Sequence, residues 1–261
     1  MIRIAAVGDL HFDRLSRNRF APFLPDLVDK ADLLLLAGDL TQIGHPDEMK
    51  ALVHDLRACP IPIISVLGNH DYHMDMVPQI SEMLEDEGII VLEQNAITLD
   101  IGQTKLGIAG AKGFGGGFVG ACGSDFGEQS MKEFMRHSRQ EARNLEAALK
   151  GLDDVDYKIA LLHYSPTAQT LSGEKKEIYP FLGCYYLAEA VDYGAADIVF
   201  HGHAHGGIEK GQTPGGTPVR NVAQPVIRHP YKIYDLTPKD KVPKREIPSR
   251  IRQYDELTHK S

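Results

Sequence analysis

Five short stretches of this sequence are rich in side chains that bind divalent metals. They read GDLHF (8–12), AGDL (37–40), GNHD (68–71), LLHYSP (161–166) and HGHAH (201–205). Together they offer two carboxylates, one carboxamide and four imidazoles, from Asp9, His11, Asp39, Asn69, His163, His203 and His205. A mixture of imidazole and oxygen ligands suits a borderline divalent metal such as Mn, Fe, Zn or Ni. Because the set contains no cysteine, we do not expect a closed structural zinc site.

The number of candidate ligands indicates two metal ions rather than one. Seven ligands exceed the need of a single tetrahedral ion, whereas two ions sharing one carboxylate would use all seven. Two metals about 3.5–4 Å apart form the arrangement that hydrolyses phosphate esters, because together they clamp the nucleophile and the substrate oxygens. Gly38, Gly68 and Gly202 stand beside the candidate ligands, where the lack of a side chain lets the backbone come close to a metal.

The five stretches follow apolar runs that we interpret as strands. The first three runs are 2–7, 32–37 and 61–67, with helical patterns between them, an order typical of parallel strands joined by crossover helices. Runs this apolar are expected where both faces of a strand are covered. Further predicted strands are 89–92, 96–101, 104–109, 157–163, 197–203, 218–223 and 231–236, and predicted helices are 20–30, 46–58, 75–87, 127–150 and 184–194. Ligands of open α/β sheets bind at the carboxyl ends of the strands, so we expect the polar side chains to converge there.

The motifs, taken in order, resemble those of the calcineurin-like metallophosphoesterase family. In this chain they read Asp9-Leu10-His11, Gly38-Asp39, Gly68-Asn69-His70-Asp71, His163 and Gly202-His203-Ala204-His205. Each motif alone is weak, but the ordered set is specific and spans residues 9 to 205. The resemblance implies an α/β fold, the four-layer α/β/β/α sandwich of the metallo-dependent phosphatases, with a pair of divalent metal ions (Mn, Fe or Zn) at the strand ends.

The resemblance also implies a role for each motif residue. It implies that the first metal is bound by Asp9, His11 and His205, the second by Asn69, His163 and His203, and both by Asp39. The hydroxide bridging the metals would then attack phosphorus in line, and His70 would protonate or hydrogen-bond the leaving oxygen as general acid. Asp71 is expected either to orient His70 or to make a structural hydrogen bond. His201 matches no motif position and is expected to be a bystander.

Departures from known subfamilies narrow the expected substrate. GDLTQIG at 38–44 lacks the Asp-Arg pair of the protein serine/threonine phosphatases, and Gln42 stands where purple acid phosphatases have a metal-binding tyrosine. The remaining group is similar to the class III cyclic-nucleotide phosphodiesterases, so a small phosphodiester such as a cyclic nucleotide is the favoured substrate. One alternative is a metal-dependent nuclease of the same superfamily. Another is a non-catalytic scaffold with this fold, which is disfavoured because every motif residue is retained.

Composition and net charge limit which classes of partner and which cellular compartment we expect. The formal net charge is −8, which disfavours nucleic acid as a partner without excluding it, because a metal centre reverses the local field. No apolar run approaches the length of a membrane-spanning helix, and the first residues do not resemble a signal peptide. Cys59, Cys122 and Cys184 are far apart and odd in number, which suits a reducing cytoplasm. The oligomeric state is not predicted.

Two segments have no clear place in the expected sheet. Residues 110–127 are too rich in glycine for us to predict a regular element, and 113–120 in particular are expected to be a surface loop. The alternative is a lid that places Phe114 and Phe118 over the metals.

Residues 1–237 are predicted to form one metallophosphoesterase domain, and 238–261 a charged C-terminal arm.

Overall fold

The computed structural model describes residues 1–236. The arm predicted for 238–261 and the last residue of the predicted domain lie outside the described residues. The strands are β1 (Ile2–Val7), β2 (Leu33–Ala37), β3 (Ile63–Val66), β4 (Ile90–Val91), β5 (Asn95–Ile101), β6 (Thr104–Ala111), β7 (Gly117–Phe118), β8 (Ala121–Cys122), β9 (Tyr157–Leu162), β10 (Ile198–His201), β11 (Lys210–Gln212), β12 (Pro218–Asn221) and β13 (Lys232–Leu236). The α-helices are α1 (Leu27–Lys30), α2 (Pro46–Leu56), α3 (Val77–Glu85), α4 (Gln129–Lys150), α5 (Tyr179–Leu182), α6 (Tyr185–Tyr193) and α7 (Gln224–Ile227).

The strands form two large sheets. The first has the order β13-β1-β2-β3-β4 and the second the order β11-β12-β10-β9-β6-β5. In the first sheet β1 to β4 run parallel, and β13 pairs antiparallel with β1. In the second, β6, β9, β10 and β12 run parallel, with β5 and β11 as antiparallel edges. The parallel strands therefore end at a common edge, as the strand and helix order predicted.

Side chains that alternate along each strand build three apolar layers. In β1, Ile2, Ile4 and Ala6 face the second sheet, while Ala5 and Val7 face the helices. The layer between the sheets is completed from the other side by residues such as Ile159 and Phe200. Helices α2 and α3 cover the outer face of the first sheet, and α4 and α6 cover the second. Because both faces of each sheet are buried, the fold is the predicted four-layer α/β/β/α sandwich.

Two predicted elements differ from the observed ones. The helix expected at 20–30 is a 3₁₀ turn at Ala21–Phe23 followed by the short α1, because Pro25 removes a backbone donor and clashes with the preceding turn. The glycine-rich stretch is not devoid of regular structure, since β7 and β8 pair as a small hairpin. Gly120, at φ +92°, occupies its turn, and a β-carbon at Gly117 would lie 2.3 Å from the Ala121 carbonyl oxygen. Glycine is what allows two backbones to approach this closely.

The expectation of a surface loop at 113–120 is also wrong for most of that segment. Gly113, Gly115, Gly116, Gly117 and Phe118 are buried. The ring of Phe118 packs in a small apolar cluster with Leu171, Leu182 and Ala204. The segment therefore packs against loops that lie next to the strand ends. Among residues 1–236, no helix is both long and apolar enough to cross a membrane.

Candidate metal centre

The seven predicted ligands meet at the carboxyl edge of both sheets. Each lies one to four residues after the end of a strand: β1, β2 and β3 in the first sheet, and β9 and β10 in the second. Four of them have left-handed backbones, with φ of 59° at Asp9, 44° at His11, 49° at Asp39 and 68° at His203. This region is uncommon for residues other than glycine and costs of order 1–3 kcal/mol each. These left-handed turns bring four of the donor residues to the edge where the strands of both sheets end.

Glycines beside the ligands have no room for a side chain. A β-carbon at Gly68 would lie 2.1 Å from Asp39 Oδ1, and one at Gly202 would lie 2.3 Å from Asp9 Oδ2. A β-carbon at Gly38, where φ is +80°, would lie 2.6 Å from Nδ1 of His163. The close approach inferred from the sequence is therefore present at all three positions, and the nearest atom at each belongs to the side chain of a candidate ligand.

A first donor cluster consists of Asp9, His11, Asp39 and His205, whose ligand atoms all lie within 4.8 Å of one another. His205 Nε2 is 2.8 Å from Asp9 Oδ1 and 3.5 Å from His11 Nε2. His11 Nε2 is in turn 3.8 Å from Asp39 Oδ2. Two carboxylate oxygens and two imidazole nitrogens thus face one point, which is a donor set for one divalent ion.

A second cluster shares Asp39 and adds His163 and His203, again within 4.8 Å. His163 Nε2 is 3.2 Å from Asp39 Oδ1 and 3.0 Å from Asn69 Oδ1, so Asn69 belongs to the same group. Asp39 therefore presents Oδ2 to the first cluster and Oδ1 to the second. That is the position required of a carboxylate shared by two ions.

The imidazoles of the second cluster are held by backbone carbonyls. His163 Nδ1 donates to the Ala37 carbonyl at 2.9 Å, and His203 Nε2 donates to the Phe181 carbonyl at 3.1 Å. Each ring then keeps one nitrogen lone pair, Nε2 in His163 and Nδ1 in His203, for a cation. A second hydrogen bond that fixes tautomer and ring orientation is typical of metal-binding histidines.

In the second cluster, Asp39 and His163 shift each other's pKa. Burial alone would raise the pKa of Asp39, yet the adjoining His163 holds that pKa well below its ordinary value. Burial alone would lower the pKa of His163, but the Asp39 carboxylate raises it to about 9. Burial lowers the pKa of His203 to about 3, so this ring is neutral and able to bind a cation. A proton and a metal ion compete for the same nitrogen of His163.

His70 lies beside both clusters, and its orientation is fixed by a partner that the sequence did not indicate. Its Nδ1 is 2.6 Å from the Gln42 carbonyl oxygen, and its Nε2 is 3.9 Å from Asp39 Oδ2. Its ring meets that of His11 edge to face at 4.5 Å. With Nδ1 committed to the Gln42 carbonyl, Nε2 is the atom free to exchange a proton with a substrate.

Asp71 does not orient His70, in contrast to the first of the two roles expected for it. Its carboxylate accepts hydrogen bonds from the Leu40 and Gly68 amides and from the amide and hydroxyl of Thr41, at 2.6–3.1 Å. Burial, followed by the charge of Asp39, raises the pKa of Asp71 to about 6. Asp71 ties the loop after β2 to the loop after β3, and so acts on the site through the backbone.

His201 is outside the donor clusters, as expected from the motif. Its ring is buried, with Nδ1 donating to the Gly202 carbonyl at 2.8 Å and Nε2 lying 2.9 Å from the Thr170 hydroxyl. Burial lowers its pKa to about 4. This neutral histidine supports the loop that carries His203 and His205.

Two backbone carbonyls that orient candidate site residues, and one residue beside the second cluster, were not predicted from the sequence. Phe181 and Gln42 contribute backbone carbonyls, for which no sequence signal exists. Lys112 follows β6 directly, so the rule that selected the other strand-end residues could have found it. Its carbonyl accepts the amides of His163 and Tyr164 at 3.1 and 3.0 Å, which places it next to the second cluster.

The residues present fit a pair of divalent cations. Imidazole, carboxylate and carboxamide donors converge on two neighbouring points, and glycine removes every side chain that would crowd the carboxylates. Carbonyls behind His163 and His203 leave one lone pair on each ring facing inward. In this donor set Asp9 with His11 and His205 would hold one ion, and Asn69 with His163 and His203 the other.

Comparison with known proteins identifies a family and related solved structures. The family model for calcineurin-like phosphoesterases matches residues 2–207. The structure of the phosphopantetheinyl hydrolase PptH from Mycobacterium tuberculosis has a TM-score of 0.67 at 15% identity, covering 90% of this chain and 96% of that one. A putative 5′-nucleotidase from Staphylococcus aureus has a TM-score of 0.52 at 17% identity, over 84% of this chain and 48% of that one. No curated protein matches the sequence significantly.

The two solved structures share the fold with this chain, and the family match covers every predicted ligand. The chain belongs to the calcineurin-like phosphoesterase family of metal-dependent hydrolases.

Proposed function

We propose that this protein hydrolyses small phosphodiesters with a pair of divalent ions drawn from Mn, Fe and Zn. The observation that carries the proposal is the position of Asp39, whose two oxygens each face a different donor cluster. A centre built around a shared carboxylate is the arrangement used for in-line displacement at phosphorus. Asp39, Asn69, His163 and His203 would hold one ion, and Asp9, His11, Asp39 and His205 the other.

When bound, the two cations would lower the pKa of water and neutralise charge on the phosphoryl oxygens. The protein's own residues supply orientation. Asn69 would use Oδ1 as a ligand, leaving its amide protons available to donate to a phosphoryl oxygen. The hydrogen bond from the His70 amide to Asp39 Oδ1, at 2.8 Å, fixes the shared carboxylate. Donors and ligands held this rigidly need no rearrangement as charge develops in the transition state.

His70 is the proposed general acid. Its side chain is 37% exposed, so a substrate can reach it, whereas the Asp39 carboxylate beneath it is buried. The Gln42 carbonyl holds Nδ1–H, so Nε2 would carry the proton to the departing alkoxide. A proton delivered in this way contributes about 10²–10⁴ in rate.

A diester is favoured over a monoester because the centre has room for a second ester arm. A cavity of about 240 Å³ adjoins the metal loops between β3, β4 and β6. The net charge of −8 argues against the nuclease alternative, since non-specific binding to nucleic acid depends on a basic footprint.

The test is metal analysis and a substrate panel on the same preparation. We expect close to two ions per chain in Mn-loaded protein, and faster turnover of bis-p-nitrophenyl phosphate and cyclic nucleotides than of p-nitrophenyl phosphate. Chelator should abolish both activities. Metal-loaded protein that cleaves only monoesters would contradict the diester assignment, and preferential cleavage of single-stranded DNA would favour the nuclease.

We also propose a cytoplasmic location. The support is that Cys59, Cys122 and Cys184 are all free thiols, as expected where glutathione keeps thiols reduced. Fractionation of cells producing the protein would test this directly.

A further inference from the structure

A cavity of about 240 Å³ lies beside the metal centre and has an unusual distribution of charge. Its lining includes Leu67, Tyr72, Glu93, Gln94, Lys112 and Glu141, and we call it the Lys112 pocket. Leu67 and Tyr72 flank the loop that carries Asn69 and His70. Lys112 is bonded through its carbonyl to the amide of His163. A substrate bound at the metals would therefore extend an arm into this pocket.

Lys112 is held in the pocket without a carboxylate partner. Its Nζ lies over the rings of Tyr72 and Phe114 at 5.0 Å and over the ring of Tyr164 at 5.4 Å. Among the described residues, the one hydrogen bond that its Nζ makes is a long one, 3.3 Å to the Gly113 carbonyl. Three aromatic faces thus hold the ammonium group by cation–π attraction and leave its protons available.

Glu141 faces the same pocket and is also held by neutral partners. Its Oε1 accepts from the side-chain amide of Gln94, and its Oε2 accepts from the Gly113 amide at 3.2 Å. Its side chain is only 4% exposed. Asn144 in turn donates to the side-chain carbonyl of Gln94, which fixes the amide. The Glu141 carboxylate is therefore a preorganised hydrogen-bond acceptor in the lining of the Lys112 pocket.

The opposite charges of the pocket do not neutralise each other. Within residues 1–236, neither Glu93 nor Glu141 comes within 4.0 Å of Lys112 Nζ, although both act on its charge. Glu93 instead accepts from the Tyr72 hydroxyl. Glu141 is buried, and a buried charge is costly unless it is paired. A ligand group that accepts a hydrogen bond from Lys112 and donates one to a glutamate would give both charged groups a partner.

We infer that the Lys112 pocket binds the non-reacting arm of the substrate, and that this arm ends in a neutral, ring-sized group carrying a hydrogen-bond acceptor next to a donor. A nucleobase edge or a pair of sugar hydroxyls has this chemistry. One ammonium facing two carboxylates would repel a second phosphate or a carboxylate. The ring of Tyr72, which lines the pocket, offers contact area to a ligand ring. This inference rests on the proposed function, because it takes the phosphoryl group to be bound by the metals.

Binding of small phosphates to Mn-loaded protein tests the inference by calorimetry. The probes are methyl phosphate, which has no arm, thymidine 5′-monophosphate and glucose 6-phosphate. We expect at least one of the two larger phosphates to bind about 10–100-fold tighter than methyl phosphate, the range for hydrogen bonds to charged groups. Which of the two binds tighter distinguishes a base edge from sugar hydroxyls.

Lys112→Met and Glu141→Gln should each remove most of that preference while leaving methyl phosphate binding unchanged. Lys105→Met, at the opposite end of β6, and Glu133→Gln, exposed on α4, are matched controls that should behave as the unmodified protein. Equal loss for all probes would overturn the inference, because the two residues would then support the metal centre in general. No preference in the unmodified protein, or tight binding of phosphoglycolate with its anionic arm, would overturn it as well.

Metal content and turnover of bis-p-nitrophenyl phosphate are measured on the same preparations. Selective binding without turnover would contradict the proposed function and leave the pocket intact. Turnover without selective binding would contradict the pocket alone.

Discussion

Gly68 and Asp39 approach so closely that no side chain can stand between them. A β-carbon on Gly68 would lie 2.1 Å from Asp39 Oδ1 and 2.2 Å from the Asp39 amide nitrogen. The backbone of Gly68 is not in the left-handed region, so space alone demands glycine here. The residue that presents one oxygen to each donor cluster thus depends on a glycine from the neighbouring strand end.

Gly68→Ala should therefore disrupt the metal centre. The added methyl group must push Asp39 away from its shared position, and a displacement near 1 Å costs about 10²-fold in rate. We expect less than one equivalent of tightly bound metal and a fall in kcat/KM of at least about 10²-fold. Gly151→Ala is the control, since its β-carbon meets nothing closer than 3.5 Å. Unchanged metal content in Gly68→Ala would show that the carboxylate can move freely.

His70→Ala should retain both metals and lose most turnover. The amide of residue 70 still donates to Asp39 Oδ1, because that bond belongs to the backbone. The loss expected for a general acid is about 10²–10⁴ in kcat. It should shrink for esters whose leaving group needs no proton, such as p-nitrophenolate. His73→Ala, exposed in the same loop, is the control. An equal loss for poor and good leaving groups would argue against proton donation.

Asp71→Asn should damage stability more than catalysis. The carboxylate accepts four hydrogen bonds from Leu40, Thr41 and Gly68, and a side-chain NH₂ in place of one oxygen would face donors. Leaving buried donors unpaired should lower the free energy of unfolding by about 2–4 kcal/mol. Urea unfolding measures this, with the exposed Asp75→Asn as control. Full stability combined with lost activity would instead restore a direct catalytic role for Asp71.

Metal binding should become tighter as pH rises towards about 9. The metal-free pKa of His163 is raised to about 9 by Asp39, so below that pH a proton must leave before Nε2 can bind a cation. Apparent affinity should gain up to about tenfold per pH unit from this proton and level off above its pKa. Calorimetry in buffers of different ionisation enthalpy counts the released protons. His163→Gln cannot bind that proton and should show a shallower dependence. The same slope in the variant would assign the proton to another group.

The family, the fold class and the convergence of the seven candidate ligands could be predicted from sequence because they rest on local order. Each candidate ligand lies one to four residues after the end of an apolar strand, and the parallel arrangement implied by alternating strands and helices brings those ends to one edge. Glycines next to Asp39, Asn69 and His203 further indicated that the backbone approaches the site closely. The alternation of Ile2, Ile4 and Ala6 against Ala5 and Val7 likewise follows from the period of a strand covered on both faces.

Contacts between distant segments could be decided only by the tertiary structure. The carbonyls of Gln42 and Phe181 orient His70 and His203, and any residue type offers the same carbonyl, so the sequence carries no signal for them. Asp71 lies next to His70 along the chain, yet its side chain points to the loop after β2. In the glycine-rich stretch, the amides of Gly116 and Gly117 donate to the carbonyls of Pro180 and Gly183, a pairing with a distant segment for which the stretch itself carries no signal. Sequence order determined which groups reach the strand ends; packing of the two sheets determined which of their atoms face one another.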